Sequence, residues 1–239
     1  MKGRTRIQSM GVAIMLSALV ALNGCDSGDD VVMPPAQEAT YAVAITNLTG
    51  SQPLSPLGAV VHNSGYAGWE IGISASSGLE RLAEGGDPAV FLAEAAGNAD
   101  VLVTGTGGGI IGPGATDNVE FTTVPTQGLR LTCATMLVNT NDAFTGISGL
   151  IIGDLAVGER KRIYALPYDA GTEGNTETAS TIPGPAGGGE GYNAERLDRD
   201  FVSVHSGVVT RDDGLVTSVL DESHRFLSPV AEIVVTRIR

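Results

Sequence analysis

Two short segments of the chain concentrate the side chains best suited to inorganic chemistry: Asn139-Thr-Asn-Asp142 and Asp169-Ala-Gly-Thr-Glu173. Calcium is held by about six to eight oxygens, drawn from carboxylates, carbonyls and water, and it tolerates irregular loops. Both segments offer such oxygens. Asp169 and Glu173 flank Gly171, and a glycine free to take positive φ lets the backbone curl until two side chains and the carbonyls between them face one point. Asn175 and Glu177 can extend that shell. Magnesium suits such a cage less well, because it demands a strict octahedron. The competing reading is a pair of solvated acidic turns.

Other chemistries have less support. His62, His205 and His224 are the only histidines. They lie in three distant segments without the i, i+4 spacing that would place two of them on one helix face, so core or surface roles are expected rather than a zinc site. Trp69, the single tryptophan, is expected in the core or at its rim. The sequence has no Gly-x-Ser-x-Gly elbow, no His-Glu-x-x-His and no Walker loop. Gly105-Thr-Gly-Gly-Gly-Ile-Ile-Gly112 is not followed by a helix with a lysine to hold phosphate. The 27 acidic residues leave a paired-carboxylate hydrolase as the last-ranked alternative.

The N-terminus is a separate problem. Lys2, Arg4 and Arg6 precede an apolar run from Met10 to Leu22. At about 13 residues that run matches a secretion signal and falls short of a spanning helix. The following Leu22-Asn23-Gly24-Cys25 resembles the lipobox of bacterial lipoproteins, which implies removal of residues 1–24 and acylation of Cys25. Residues 25–40, rich in Asp, Ser, Gly and Pro, read as a tether that cannot bury enough apolar surface to fold. Loss of Lys2, Arg4 and Arg6 moves the formal charge from −13 to −16. So acidic a chain repels nucleic acid and attracts divalent cations. With Cys25 acylated, Cys133 has no partner for a disulfide.

Residues 41–239 have the length of one all-β domain. Short apolar and β-branched runs separated by Gly, Pro, Asn and Asp predict strands at 41–45, 101–104, 119–124, 129–138, 162–166, 201–209 and 233–238. The period of two puts Leu129, Leu131, Cys133 and Leu137 on one face, which makes Cys133 a core thiol. A helical insertion is predicted from Ser76 to Glu84 and from Asp87 to Ala95, with Asp87 capping a helix that has Pro88 at its first position.

Seven stretches, in order, resemble the spondin domain family: Thr46 to Pro56, Gly78 to Asp87, Met136 to Gly146, Tyr168 to Glu177, Ile182 to Pro185, His205 to Gly207 and Pro229 to Arg237. The resemblance implies an all-β fold, an eight-stranded antiparallel β-sandwich related to calcium- and lipid-binding modules. It also implies a Ca2+ site with the ligands Asp142, Asp169 and Glu173; Glu173 stands where some relatives have aspartate. The expected role is non-enzymatic adhesion or recognition, in which a lipid-anchored module at the bacterial cell envelope, on its periplasmic face or at the surface, binds a polysaccharide or a matrix or cell-surface protein. A structural envelope lipoprotein stabilised by calcium is the alternative.

Overall fold

In the computed structural model, which describes residues 37–239, the chain folds into two antiparallel sheets. One has the order β4 (Thr116–Thr123), β1 (Ala39–Asn47), β10 (Ala231–Arg237), β7 (Arg160–Ala165). The other has the order β3 (Val101–Thr106), β2 (Gly58–His62), β5 (Arg130–Met136), β6 (Ala143–Ile151), β8 (Pro167–Asp169), β9 (Ser203–Val204). Eight strands have five or more residues; β8 and β9 are short and extend one edge of the second sheet. The fold is the expected all-β sandwich with a helical insertion. Residues 37–239 form one compact unit with its own core, the condition for folding independently. The proposed signal segment, Cys25 and the tether up to residue 36 lie outside the described residues.

The first sheet obeys simple alternation. Along β1, Tyr41, Val43 and Ile45 are buried while Thr40, Ala42 and Ala44 are half-exposed. Their cross-strand partners, Val119 and Phe121 on β4 and Ile233 and Val235 on β10, are buried too. The strand begins at Ala39, two residues before the expected domain edge, and Thr40 pairs with Thr122.

The second sheet is covered on both faces. Ala59 and Val61 of β2 and Leu131 and Cys133 of β5 face the sandwich core, whereas Val60 and Ala134 face a second cluster built with Leu79, Leu82, Ala83 and Phe91 of the helices. Each fully buried Leu or Phe in these layers contributes about 1.5–3 kcal/mol relative to exposure. Helix α1 (Ser77–Gly85) starts where Ser76 Oγ accepts the Leu79 N–H and stops at Gly86, in the left-handed conformation. Helix α2 (Ala89–Ala96) starts one residue later than expected, with Pro88 at the N-cap rather than the first helical position; Asp87 Oδ1 still accepts the Ala89 N–H at 2.9 Å. Among the described residues no helix is long and apolar enough to cross a membrane.

The expected strand at 201–209 is reduced to Ser203–Val204. His205, expected on a strand, lies just beyond it, and its Nδ1 accepts the Gly207 N–H to close a local turn. Cys133 is fully buried, and burial pushes its thiol up to about 12. Residues 37–239 should therefore leave Cys133 unlabelled by a disulfide reagent at about pH 8 and label fully in urea, because the thiolate is the nucleophile. Fast labelling of the native protein contradicts the core assignment.

Candidate metal centre

The β5–β6 turn and the segment after β8 come together because β6 and β8 are neighbours, with Ala143 paired to Asp169. Thr140 shapes the first turn: its hydroxyl donates to Leu137 O at 2.6 Å and accepts the Ala143 N–H at 3.0 Å. Asn139 ties that turn to two other loops, donating to Ser51 O and accepting the Ala186 N–H. Asp142, at the end of the turn, is completely buried.

Gly171 gives the second segment its shape. At φ +73° it reverses the chain, and the next two amides then aim at one atom. Thr172 N–H (2.8 Å), Thr172 Oγ1–H (3.3 Å) and Glu173 N–H (3.1 Å) all donate to Asp142 Oδ2. Asp142 Oδ1 is left with no hydrogen-bond partner, as is Glu173 Oε2. A buried polar atom without a partner is costly. Two such carboxylate oxygens, on residues joined by the Glu173 amide, fit a hard, oxygen-seeking cation.

Electrostatics leads to the same place. Burial pushes the Asp142 carboxyl up to about 7, the charge of Asp169 adds to the shift, the two amides oppose it, and Glu84 raises it again. Burial pushes Glu173 up to about 8, reinforced by Glu84 and Asp142. Glu84, on α1, is itself wholly buried and raised by burial, with Oε2 accepting the Asn193 N–H at 2.8 Å and Oε1 unpartnered.

Asp169 differs from the expected ligand. Its Oδ1 accepts the Gly171 N–H, and its Oδ2 accepts from Asn175 Nδ2 (2.9 Å) and Arg199 Nη2 (3.0 Å). Its carboxylate is already hydrogen-bonded and ion-paired, so it acts on Asp142 chiefly as a neighbouring charge. Asn175 bridges Asp169 to His205 rather than facing Asp142. Glu177, buried and at φ +57°, binds the Val209 N–H through Oε1 and keeps Oε2 unpartnered; burial alone pushes it up to about 7, without a contribution from the other acids. It stands apart from the group. As placed, no three His, Cys, Asp or Glu side chains among the described residues converge on a single point.

The histidines are each held locally: His62 by Thr132 Oγ1 and Asn63 O, His205 by Asn175 and Gly207, His224 by Asp221. Trp69 packs edge-on against Phe144 and Tyr168. Glu84 is the one member of the group that does not stand out in the sequence. An acid four residues after Glu80 on a helix flank has the pattern of an ordinary solvated face.

The architecture defines a class: a β-sandwich whose second sheet carries a helical pair on its outer face and two acidic loops at its edge. Residues 46–185 match the family model described as Spondin_N, more than half of the chain, and the chain belongs to the spondin N-terminal domain family. The matched span contains Glu84, Asp142, Asp169 and Glu173 but ends before β9 and β10. No curated protein sequence matches the chain.

Proposed function

We propose that the protein is a calcium-binding, non-enzymatic recognition module, exported and held at the cell envelope by a lipid on Cys25. The observation that carries the metal reading is the pair of buried, unpartnered carboxylate oxygens, Asp142 Oδ1 and Glu173 Oε2, beside the negative Asp169. A divalent cation relieves their desolvation and mutual repulsion together, and calcium accepts the mixed carboxylate, carbonyl and water shell that such loops offer. Asp142 and Glu173 would supply these oxygens, with Asp169 contributing charge and, on release of one of its present partners, a ligand.

The burial of these carboxylates, from 0% to 6% exposed, favours an ion that orders the loops over one that touches a partner directly. Recognition of a polysaccharide or protein would then depend on calcium through loop shape. If deletion damages the envelope and no ligand is found, the structural alternative holds.

Calorimetry and thermal melting of residues 37–239 test the metal. A saturable site is expected, with stabilisation of about 2.7 kcal/mol at a hundredfold excess over Kd, which for this size is a rise in Tm of roughly 5–10 °C. Asp169→Ala combined with Glu173→Ala should abolish the response. A native domain indifferent to calcium sinks the proposal.

A further inference from the structure

We propose that Glu84 of α1 is a ligand of the same cation, so that the ion pins the helical insertion to the two acidic loops. The inference rests on the calcium reading and extends it to a residue from a different element, 58 positions before Asp142 in the chain.

Three observations carry it. Glu84 is 0% exposed and its Oε1 has no hydrogen-bond partner. A buried ionised carboxylate in that state is tolerated only when a charge or proton compensates it. Arg196 acts on Glu84 only weakly, because it is engaged by Glu80 Oε2 at 2.8 Å, Asp200 Oδ1 at 2.5 Å and Ala75 O at 2.8 Å, and burial still raises the Glu84 carboxyl.

Glu84 is also tied to the proposed centre by geometry: Asn193, whose N–H donates to Glu84 Oε2 at 2.8 Å, lines one cavity with Glu173. Asp142 Oδ1, Glu173 Oε2 and Glu84 Oε1 are three buried oxygens without hydrogen-bond partners. They do not meet at a point as placed; the cation draws them together by side-chain rotation.

The helix cannot retreat from this arrangement. Ser76 and Gly86 cap its two ends, and Arg196 clamps Glu80 one turn before Glu84. A cavity of about 140 Å3 is lined by Asn141, Glu173, Glu190 and Asn193. Asn193 at its wall is the residue whose N–H holds Glu84 Oε2.

The test is calcium calorimetry on residues 37–239 of the wild type and of Glu84→Gln, an isosteric change that keeps an acceptor for the Asn193 N–H. Metal-free melting and circular dichroism report folding. Glu84 as a ligand predicts a calcium affinity weaker by about tenfold or more in the variant, since affinity follows the charge count of the site, with a metal-free Tm unchanged or raised. Equal affinity in the two proteins overturns the role of Glu84 and leaves the calcium site standing. Absence of binding by the wild type overturns both. Hydrogen exchange on the wild type gives an independent measure that no substitution can confound: calcium should increase amide protection across Ser77–Gly85, and protection confined to the loops counts against Glu84.

Discussion

Gly171→Ala is expected to cost about 2–5 kcal/mol and to remove the calcium response in the same step. Two effects add. A left-handed backbone costs a residue with a Cβ about 1–2 kcal/mol, and Gly171 sits at φ +73°. A Cβ there would collide with Phe201 O and lie 2.8 Å from Phe201 N, main-chain atoms that no rotamer change can move, and overpacking of this kind costs about 1–3 kcal/mol or more. Phe201 is not free to shift, because Asp200 N–H donates to Gly171 O at 2.8 Å and Asp169 pairs with Ser203 just beyond. Relief of the clash must open that edge of the sheet and draw the Thr172 and Glu173 amides away from Asp142. Gly114→Ala is the control: φ is +74° and nothing lies within 4 Å of the added Cβ, so only the conformational part, about 1–2 kcal/mol, should be lost. Urea denaturation of the two variants decides it; equal losses show that the contact with Phe201 has no energetic weight.

The same physics explains which elements are legible in the sequence. β1 and β10 can be read from alternation because each has one core face and one wetter face. β2 and β6 escape that pattern. Every residue of Gly58–His62 is buried, Val60 against the helices and Val61 against the other sheet, and a strand covered on both sides has no period to detect. β6 begins with five buried residues and carries Gly146 and Gly149, which weaken its propensity as well. At 201–209 the β-branched residues promise a long strand, but local hydrogen bonding around His205 and Gly207 ends it after Val204.

The site divides in a similar way. The loops that carry Asp142, Asp169 and Glu173 stand out in the sequence because acids sit there with glycine and amide residues, and the family resemblance picks these three acids out of them. Glu84 and Arg199 reach the same place only through tertiary packing: one is carried in by α1, the other by the chain leading into β9. Neither position differs in type or spacing from the many exposed charges of an acidic surface.

The second large effect is a dependence on pH that calcium should suppress. Asp142 is raised from 3.8 to about 7 and Glu173 from 4.5 to about 8. A carboxyl whose folded value lies above its unfolded value binds its proton more tightly in the fold. The stability it contributes is therefore complete below about pH 4 and is lost as pH rises through the folded values. Glu177, raised to about 7, acts in the same direction. His62 and His205, lowered chiefly by burial, oppose them, supporting the fold above their ordinary value and weakening it as pH falls. The imidazoles act only below about pH 6.5, whereas the carboxyls act up to about pH 8. The metal-free domain should therefore lose on the order of 3 kcal/mol between about pH 5 and pH 8.5, counting about 1.4 kcal/mol for each tenfold change in proton affinity and discounting heavily for groups that titrate together. Calcium reverses the sign of the problem. Ligating carboxylates must be deprotonated, so metal binding releases protons and strengthens with pH, and the loss seen without metal should largely disappear in its presence. Urea titrations at about pH 5, 6.5 and 8.5, in chelator and in excess calcium, separate the two curves. Metal-free stability that climbs across this interval would show that these carboxyls enter the fold already ionised and compensated, and the argument for a cation among them would lose its electrostatic basis.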